Sequence, residues 1–163
     1  MKVLVTGGSG FLGTNLINHL VQKKNYSVFS IDKKKLEKSI ITDYKNVNNF
    51  QLNLNSKNLI NILRDISPDI IFNLAAESQV LRSADNPFNT YKSNIFGSLN
   101  LFDSIRKLNV NPKIIHASTD KVYGISDNLP YKEEHKLFSN FTYDISKISA
   151  DLIAQNYKEI YGL

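Results

Sequence analysis

The sequence predicts an α/β fold, with a doubly wound parallel sheet between two layers of helices, that is, three layers in the order αβα. Short apolar strands alternate with amphipathic helices along the chain, and several of the strands are near-continuous apolar runs. Such runs are typical of strands buried on both faces of a parallel sheet. Because parallel strands joined through helices form right-handed crossovers, this alternation favours an open, doubly wound sheet.

The first strand, at residues 3–5, leads directly into a glycine-rich turn. Gly8-x-Gly10-x-x-Gly13 fits the Rossmann fingerprint, and Gly7-x-x-Gly10-x-x-Gly13 fits the variant spacing of short-chain dehydrogenase/reductases, so both registers stay open. Such a turn needs positive φ, and it brings backbone N–H groups close enough to hold a pyrophosphate. A strand before the motif and a helix after it indicate a dinucleotide site.

The next helix and strand complete this unit. The pattern predicts a helix over residues 11–23, with an apolar face made of Leu12, Leu16, Ile17, Leu20 and Val21. A strand at residues 26–32 ends at Asp32, whose carboxylate can accept both ribose hydroxyls and would repel a 2′-phosphate. NAD is therefore expected rather than NADP. Three lysines at residues 33–35 could tolerate a phosphate, but a solvated loop is the favoured interpretation.

The remaining elements follow in alternation. A polar stretch at residues 33–46 precedes a strand at 47–54 and a helix at 57–65 that Pro68 ends. An apolar strand at residues 69–74 is followed by a long helix at 87–108, which begins after Asn86. Another buried strand is predicted at residues 113–118, and a last helix at 142–161. With 42% hydrophobic residues, the chain is expected to form one Rossmann-type NAD(P)-binding domain over residues 1–163.

Polar residues follow the strand at 113–118, at the edge where open α/β sheets bind ligands. Residues 118–121 read Ser-Thr-Asp-Lys, and Tyr143 and Lys147 lie four residues apart on the last helix, so both occupy one helix face. The ammonium of Lys147 is expected to lower the phenol pKa of Tyr143 from about 10. Tyr143 could then take the proton of a hydroxyl while a hydride leaves the same carbon.

Composition excludes several other classes of function. The net charge of +5 comes from scattered lysines, with no basic and aromatic stripe, so a nucleic-acid partner is not indicated. There is no cysteine, and the three histidines have no second ligand at metal spacing, so no metal is expected. No apolar run is long enough to span a membrane and no signal peptide is present, which predicts the cytoplasm.

The sequence resembles the extended short-chain dehydrogenase/reductases, and within them the nucleotide-sugar 4,6-dehydratases and epimerases. The resemblance covers the whole chain. It rests on six stretches in matching order: TGGSGFLG at 6–13, NLAAES at 73–78, TYKSNIFG at 90–97, STDKVYG at 118–124, LPYKE at 129–133 and YDISK at 143–147. It implies a nucleotide-sugar substrate and NAD as cofactor.

The resemblance also implies roles for individual residues. It places cofactor contacts at Gly7, Gly10, Phe11, Leu12, Gly13, Asp32, Asn53, Leu54, Leu74, Ala75, Ala76, Asn94, Tyr143 and Lys147. It makes Thr119 the partner of the sugar hydroxyl that is oxidised, and it completes the catalytic set with Asp120, Lys121, Tyr143 and Lys147. Where relatives often place an Asp near the adenine, Asn53 offers an amide that can still form a hydrogen bond.

Asp120 and Lys121 bear on the reaction. In the family that the chain resembles, dTDP-glucose dehydratases carry Asp-Glu here, the Asp as acid for the departing C6 hydroxyl and the Glu as base at C5, whereas simple 4-epimerases usually lack the Asp. Asp-Lys resembles the CDP-glucose 4,6-dehydratases, while Glu77-Ser78 resembles the dTDP type, so the substrate is a CDP- or dTDP-hexose. Lys121 is either the C5 base or an electrostatic or substrate contact, because a lysine must first lose its proton. A 4-epimerase and a non-catalytic NAD-binding module remain as alternatives.

Members of the family that the chain resembles are about twice as long, and their carboxyl-terminal part completes the sheet and grips the nucleotide-sugar. The chain is therefore expected to lack the C-terminal lobe. By itself it should bind NAD with negligible turnover, because catalysis needs binding energy from remote parts of the substrate. The resemblance also implies a homodimer through the helices at residues 87–108 and 142–161, whose apolar stripes include Ile95, Leu99, Phe102, Ile153, Tyr157 and Ile160.

Overall fold

A computed structural model describes residues 1–127 and 129–163. Five strands form one parallel sheet, and they are β1 (Lys2–Thr6), β2 (Ser27–Asp32), β3 (Val47–Gln51), β4 (Ile70–Asn73) and β5 (Lys113–His116). The order across the sheet is β3-β2-β1-β4-β5, so the direction of winding reverses between β1 and β4. Such a reversal leaves a crevice at the carboxyl ends of the strands. The predicted Rossmann-type doubly wound sheet is confirmed.

Helices cover both faces of the sheet. They are α1 (Phe11–Val21), α2 (Leu59–Ile66), α3 (Val80–Asp85), α4 (Pro87–Tyr91), α5 (Gly97–Leu108) and α6 (Thr142–Tyr161). Alternate residues of β1 point to opposite faces: Val3 and Val5 pack into a cluster with α1, and Leu4 packs into a cluster with α2 and α5. The three layers predicted from the sequence are therefore present.

The polar stretch between β2 and β3 covers its part of the sheet without an α-helix. It contains two short 3-10 turns, Lys38–Ile40 and Tyr44–Asn46. Leu36 and Ile41 are buried in the cluster on the α1 side. These two apolar side chains cover the sheet where a helix would otherwise do so. The absence of a helix explains why the apolar residues of this stretch show little periodicity.

Helix α1 differs from the sequence prediction in its last residue and in the exposure of its first turn. The helix ends at Val21 rather than at residue 23, and Leu12, which was assigned to its apolar face, is 59% exposed. The first turn of α1 follows directly on the glycine turn at the edge of the sheet, so Leu12 does not reach the core. Ile17 and Leu20, one and two turns further on, are buried as predicted.

The long helix predicted at residues 87–108 is interrupted. It consists of α4, a π-helical segment at Lys92–Phe96 and then α5. A π-helical segment inserts an extra residue into the turn, and such segments often occur at functional sites. The short helix α3 just before it was not predicted from the sequence.

Strand β5 is less buried than its apolar sequence predicts. Among the described strands it pairs with β4 alone, and Ile115 is 36% exposed. Helix α6 has the predicted bounds and contacts α5 and the π-helical segment. Among the described residues, none of the helices has the length and apolarity needed to cross a membrane.

Candidate functional site

The glycine turn between β1 and α1 is shaped by close backbone contacts. Gly7 has a φ of +72°, and a Cβ atom there would lie 2.8 Å from the backbone nitrogen of Ala75. A Cβ on Gly13 would overlap the carbonyl oxygen of Gly7. Both glycines are therefore required by the packing of the chain itself. The positive φ of Gly7 favours the variant spacing that begins at Gly7.

Gly10 differs from the other two glycines of the motif. A Cβ there would meet only the carbonyl oxygen of Gly7, at 3.2 Å, and φ is −83°. The fold therefore tolerates a side chain at this position much better than at Gly7 or Gly13. The space in front of Gly10 is open to a ligand, as a pyrophosphate held by the start of α1 requires.

Phe11 and Leu12 begin α1 with exposed side chains. Their N–H groups belong to the first turn of the helix, where backbone donors have no partner within the helix. A cofactor contact at these two residues would therefore come from the backbone, which suits a pyrophosphate.

Asp32 is half-buried at the end of β2, beside the glycine turn. Its Oδ2 accepts a hydrogen bond from Ser9 N at 3.0 Å, and its Oδ1 accepts one from Lys34 N at 2.9 Å. Each carboxylate oxygen keeps a further lone pair for a ribose hydroxyl. The side chain is thus held in place by the two loops that would enclose the ribose.

A cleft of about 300 Å³ opens next to this position, and its lining includes Lys33, Asn53, Glu77 and Arg82. Asn53 is exposed there, and its Oδ1 accepts a hydrogen bond from Asn55 N at 2.9 Å. The side chain of Leu54 lies in the core cluster with α2 and α5 rather than in the cleft. Leu54 is 6% exposed, and its contact with a cofactor stays a prediction.

Residues 74–76 follow β4 at the point where the winding reverses. Leu74 N donates to Thr6 O at 3.2 Å, and Ala75 N donates to the hydroxyl of Thr6 at 3.3 Å. Leu74, Ala75 and Ala76 are half-buried. The small side chains of Ala75 and Ala76 leave room next to Gly7, which suits the lining role predicted for this stretch.

Asn94 lies in the π-helical segment and is 1% exposed. Its Oδ1 accepts a hydrogen bond from Glu77 N at 2.7 Å, and its Nδ2 donates to Glu77 O at 3.0 Å and to the hydroxyl of Ser146 at 2.9 Å. Since both amide hydrogens are used within the chain, Asn94 holds the loop after β4 against α6. The structure shows this positioning role, and the cofactor contact of Asn94 stays a prediction.

Tyr143 and Lys147 both face the end of β5 from α6. Lys147 is 5% exposed, and its ammonium donates to Ala117 O at 2.6 Å. Tyr143 is half-buried and forms a hydrogen bond with Thr119. The structure thus brings Thr119, Tyr143 and Lys147 together, as the sequence predicted.

The predicted lowering of the Tyr143 pKa is wrong for the chain by itself. Burial raises the pKa of the phenol, the hydrogen bond with Thr119 lowers it, and the nearby carboxylates of Asp144 and Asp120 raise it again. Lys147 is not among the groups that shift the pKa of Tyr143, because its ammonium is bound to Ala117 O. The phenol is therefore protonated at neutral pH.

Asp120 and Lys121 lie in a 3-10 turn, Asp120–Tyr123, that continues from β5. Thr119 caps the turn by accepting a hydrogen bond from Lys121 N at 3.3 Å, and Asp120 Oδ1 lies 3.2 Å from the hydroxyl of Thr119. Both Asp120 and Lys121 are exposed. Asp120 therefore stands at the edge of the crevice, one residue from the partner of Tyr143.

A buried polar network, missed by sequence reasoning, connects three neighbouring strands below the site. The hydroxyl of Thr6 donates to Asn73 Oδ1 at 2.7 Å, and Asn73 Nδ2 lies 2.9 Å from His116 Nδ1 and 3.3 Å from the hydroxyl of Ser98. The only sequence signal was the appearance of Asn73 and His116 in apolar strands. Burial is the main cause that lowers the pKa of His116 to about 4, with the charge of Lys147 second and Asp151 opposing both.

The pKa of His116 predicts how stability depends on pH. Between pH 6.5 and about 4, the unfolded chain binds a proton at His116 that the folded chain does not. The free energy of unfolding is therefore highest above pH 6.5 and should fall by about 3 kcal/mol as the pH drops through this window. Denaturant titrations at several pH values would measure this fall.

A matched pair of variants isolates this effect. His116→Gln should remove about 3 kcal/mol of the pH dependence, whereas His135→Gln, in a loop outside this network, should leave it unchanged. An identical pH dependence in both variants would contradict the assignment to His116.

The crevice lies between a glycine turn on one side and a tyrosine and a lysine on the other, and with the sheet order it defines the class as a Rossmann-type NAD-binding protein. The family model described as GDP-mannose 4,6 dehydratase matches residues 4–163. The chain therefore belongs to this family of NAD-dependent epimerases and dehydratases. In the described part of the chain, no group of three or more His, Cys, Asp or Glu could hold a metal ion.

The relatives include both dehydratases and epimerases. The dTDP-glucose 4,6-dehydratase of Escherichia coli is 32% identical over 190 residues, which cover 100% of this chain and 52% of the relative. The crystal structure of UDP-glucose 4-epimerase from Thermotoga maritima has a TM-score of 0.90 and 28% identity, and the match covers 100% of this chain and 53% of that chain. The dTDP-glucose 4,6-dehydratase DesIV from Streptomyces venezuelae, with NAD and TYD bound, has a TM-score of 0.87 and 28% identity, with the same coverage. The chain spans about half the length of the relatives it matches.

Proposed function

We propose that residues 1–163 form the NAD-binding domain of a nucleotide-sugar 4,6-dehydratase. The observation that carries the proposal is the position of Asp120, exposed at the edge of the crevice and one residue from Thr119, which is bonded to Tyr143. A carboxyl group there can protonate a leaving hydroxyl on the sugar that Tyr143 and Thr119 hold. The family, with its dehydratase and epimerase members, supports the same class of reaction.

NAD is the cofactor that the site fits. The open space in front of Gly10 and the start of α1 suit the pyrophosphate, and the carboxylate of Asp32 suits the ribose. When bound, NAD supplies a hydride acceptor and the positive charge of its oxidised ring. That charge would counteract the effect of burial, which keeps the phenol of Tyr143 protonated in the chain alone.

The residues around the crevice then have separate tasks. In the oxidation at C4, Thr119 holds the hydroxyl, Tyr143 takes its proton, and the hydride leaves the same carbon. In the elimination across C5–C6, Asp120 protonates the departing hydroxyl and the C5 proton is removed, so one water is lost. The hydride then returns to C6 and a proton to C5, which gives a 4-keto-6-deoxy sugar. Lys121 is either the base at C5 or a contact of the substrate.

Two alternatives make different products. A 4-epimerase would return the hydride to C4 and release a 4-epimer without loss of water, and it remains as well supported by the relatives as the dehydratase. A non-catalytic module would bind NAD and convert no nucleotide-sugar. The exposed carboxyl of Asp120 favours the dehydratase, because epimerisation at C4 needs no acid at C6.

Product analysis tests the proposal. The natural protein that contains this chain is incubated with NAD and CDP-glucose or dTDP-glucose, and the sugar is identified by NMR. We expect a 4-keto-6-deoxy product and no net NADH, because the hydride is returned. A 4-epimer as the product would overturn the dehydratase assignment and leave Tyr143 and Lys147 in their roles. The separate chain of residues 1–163 should bind NAD with negligible turnover.

Selectivity for the cofactor follows from Asp32. We expect NAD to bind at least about tenfold more tightly than NADP, equivalent to about 1.4 kcal/mol, because the carboxylate repels a 2′-phosphate. Isothermal titration calorimetry with both cofactors measures the ratio. Asp32→Asn should reduce the preference, and Asp43→Asn, which removes the same charge from the loop before β3, serves as the control. Equal affinities in the unmodified chain would assign the phosphate contact to the lysines at residues 33–35 instead.

We also propose a homodimer through the helical segment at residues 87–108 and helix α6. Of the predicted stripe, Phe102 is buried against the sheet, whereas Ile160 is 65% exposed. Phe88 and Phe96 add exposed aromatic surface on the same segment. Light scattering at high protein concentration should give twice the mass of one chain, and a strictly monomeric mass would contradict the dimer.

A further inference from the structure

Two side chains of α6, one helical turn apart, hold the end of β5. Lys147 donates from Nζ to Ala117 O at 2.6 Å, and the hydroxyl of the next residue, Ser118, donates to Asp151 Oδ2. Because β5 pairs only with β4, these contacts hold the carboxyl end of the strand on its other side. Thr119 and Asp120 follow immediately, so their position depends on this attachment.

His116 lies near the same carboxylate, to which Ser118 donates. Asn73 Nδ2 is directed at His116 Nδ1 from 2.9 Å, so the neutral ring carries its proton on Nε2. This nitrogen is buried and lies 3.9 Å from Asp151 Oδ1 without a closer partner. Asp151 thus lies beside the end of the buried network that begins at Thr6 in β1, without a hydrogen bond to it.

We propose that Asp151 is a positioning residue for Lys147. Its carboxylate holds Ser118, and thereby the carbonyl of Ala117 to which the ammonium donates, and it provides the negative charge beside a buried cation. A lysine that is 5% exposed loses most of its hydration, so an anion nearby is needed to keep it charged. This inference rests on the proposed role of Lys147 in the cofactor site.

The electrostatics agree with this geometry. Burial lowers the pKa of Lys147, and the charge of Asp151 is the opposing influence. The other titratable group that faces the pair is His116 from β5, and with its pKa lowered to about 4 it is uncharged at neutral pH. Asp151 is therefore the charge that opposes the effect of burial on the pKa of Lys147.

The direct test is the titration of Lys147 in Asp151→Asn. This variant keeps the shape and a hydrogen-bond acceptor but removes the charge. The signal of Lys147, followed by NMR in lysine-labelled protein and assigned with Lys147→Met, should show a pKa lower by roughly one pH unit. Glu159→Gln removes the same charge from an exposed position of α6 and should leave the titration unchanged. Equal pKa values of Lys147 in Asp151→Asn and the unmodified chain would overturn the proposal.

Cofactor binding gives a second measurement. The dissociation constant of NAD should rise roughly fivefold to tenfold in Asp151→Asn, and by a smaller factor in Ser118→Ala, which removes one contact at an exposed residue. If Asp151→Asn fails to fold, Ser118→Ala still tests the proposal. An unchanged NAD affinity and an unchanged Lys147 titration in Ser118→Ala would overturn it. Lys147→Met tests the role of Lys147 in the cofactor site separately from the effect of Asp151 on Lys147. Unchanged NAD binding in Lys147→Met would overturn the proposed role of Lys147 in the cofactor site, while the effect of Asp151 on Lys147 is still judged by the titration.

Discussion

Replacing Asp120 by asparagine in the natural protein that contains this chain is expected to slow the elimination step by roughly 10²–10⁴-fold, the usual effect of a lost general acid. Asn cannot donate the proton that the departing C6 hydroxyl requires. NAD binding should be unchanged, because Asp120 is exposed and follows β5, whereas the glycine turn follows β1. Single-turnover measurements would separate the oxidation at C4, seen as transient NADH absorbance, from the loss of water.

Two further variants serve as comparisons for Asp120→Asn. Tyr143→Phe should abolish all turnover, including the transient NADH, since the proton of the C4 hydroxyl then has no acceptor. Asp127→Asn, an exposed carboxylate seven positions further along the same loop, should behave like the unmodified protein. Elimination at the normal rate in Asp120→Asn would remove Asp120 from the mechanism, and slow elimination in Asp127→Asn would show a general effect of charge.

The second large effect concerns the glycine turn. Gly10→Val should weaken NAD binding at least about 100-fold, because a side chain there keeps the pyrophosphate from two or more backbone N–H groups, each worth about 1.5–3 kcal/mol to a charged acceptor. The fold should persist, since a Cβ at Gly10 meets only Gly7 O at 3.2 Å. Titration calorimetry and circular dichroism on the same sample would show lost binding with an unchanged spectrum.

Gly13→Ala is the informative comparison. Its Cβ would overlap the Gly7 carbonyl, which belongs to the backbone and cannot move aside without displacing the turn. We therefore expect a loss of about 1–3 kcal/mol in the free energy of unfolding, in the range found for overpacked sites. Stability unchanged in Gly13→Ala, or lost in Gly10→Val, would contradict the different functions assigned to these two glycines.

Local patterns in the sequence were sufficient for most of the architecture. The glycine turn, the acidic end of β2 and the Tyr143–Lys147 pair are short-range features, and each combines residue types with a spacing that one strand, turn or helix requires. Helix α6 has the predicted bounds for the same reason, because its apolar residues recur at helical spacing over twenty positions. Element ends were less accurate, as α1 shows, since Leu12 is apolar but lies beyond the strands that would cover it.

Contacts between distant residues could not be predicted from the sequence. The role of Asn94 depends on a π-helical segment that places its amide against Glu77, and no local pattern indicates that segment. The pKa of Tyr143 depends on burial and on where the ammonium of Lys147 is directed, not on the spacing of the two residues.

The sequence by itself therefore determined the fold class and the cofactor, and it predicted candidate residues for the chemistry, because all of these depend on the order and spacing of residues along one element at a time. Only the tertiary structure decided which of those residues face the crevice, which are consumed by internal hydrogen bonds, and how they are charged. The physical reason is that burial and hydrogen bonding arise between elements. The contacts of Thr6, Asn73, His116 and Asp151 join residues that are far apart in the chain, and they exist only once three strands and α6 are assembled.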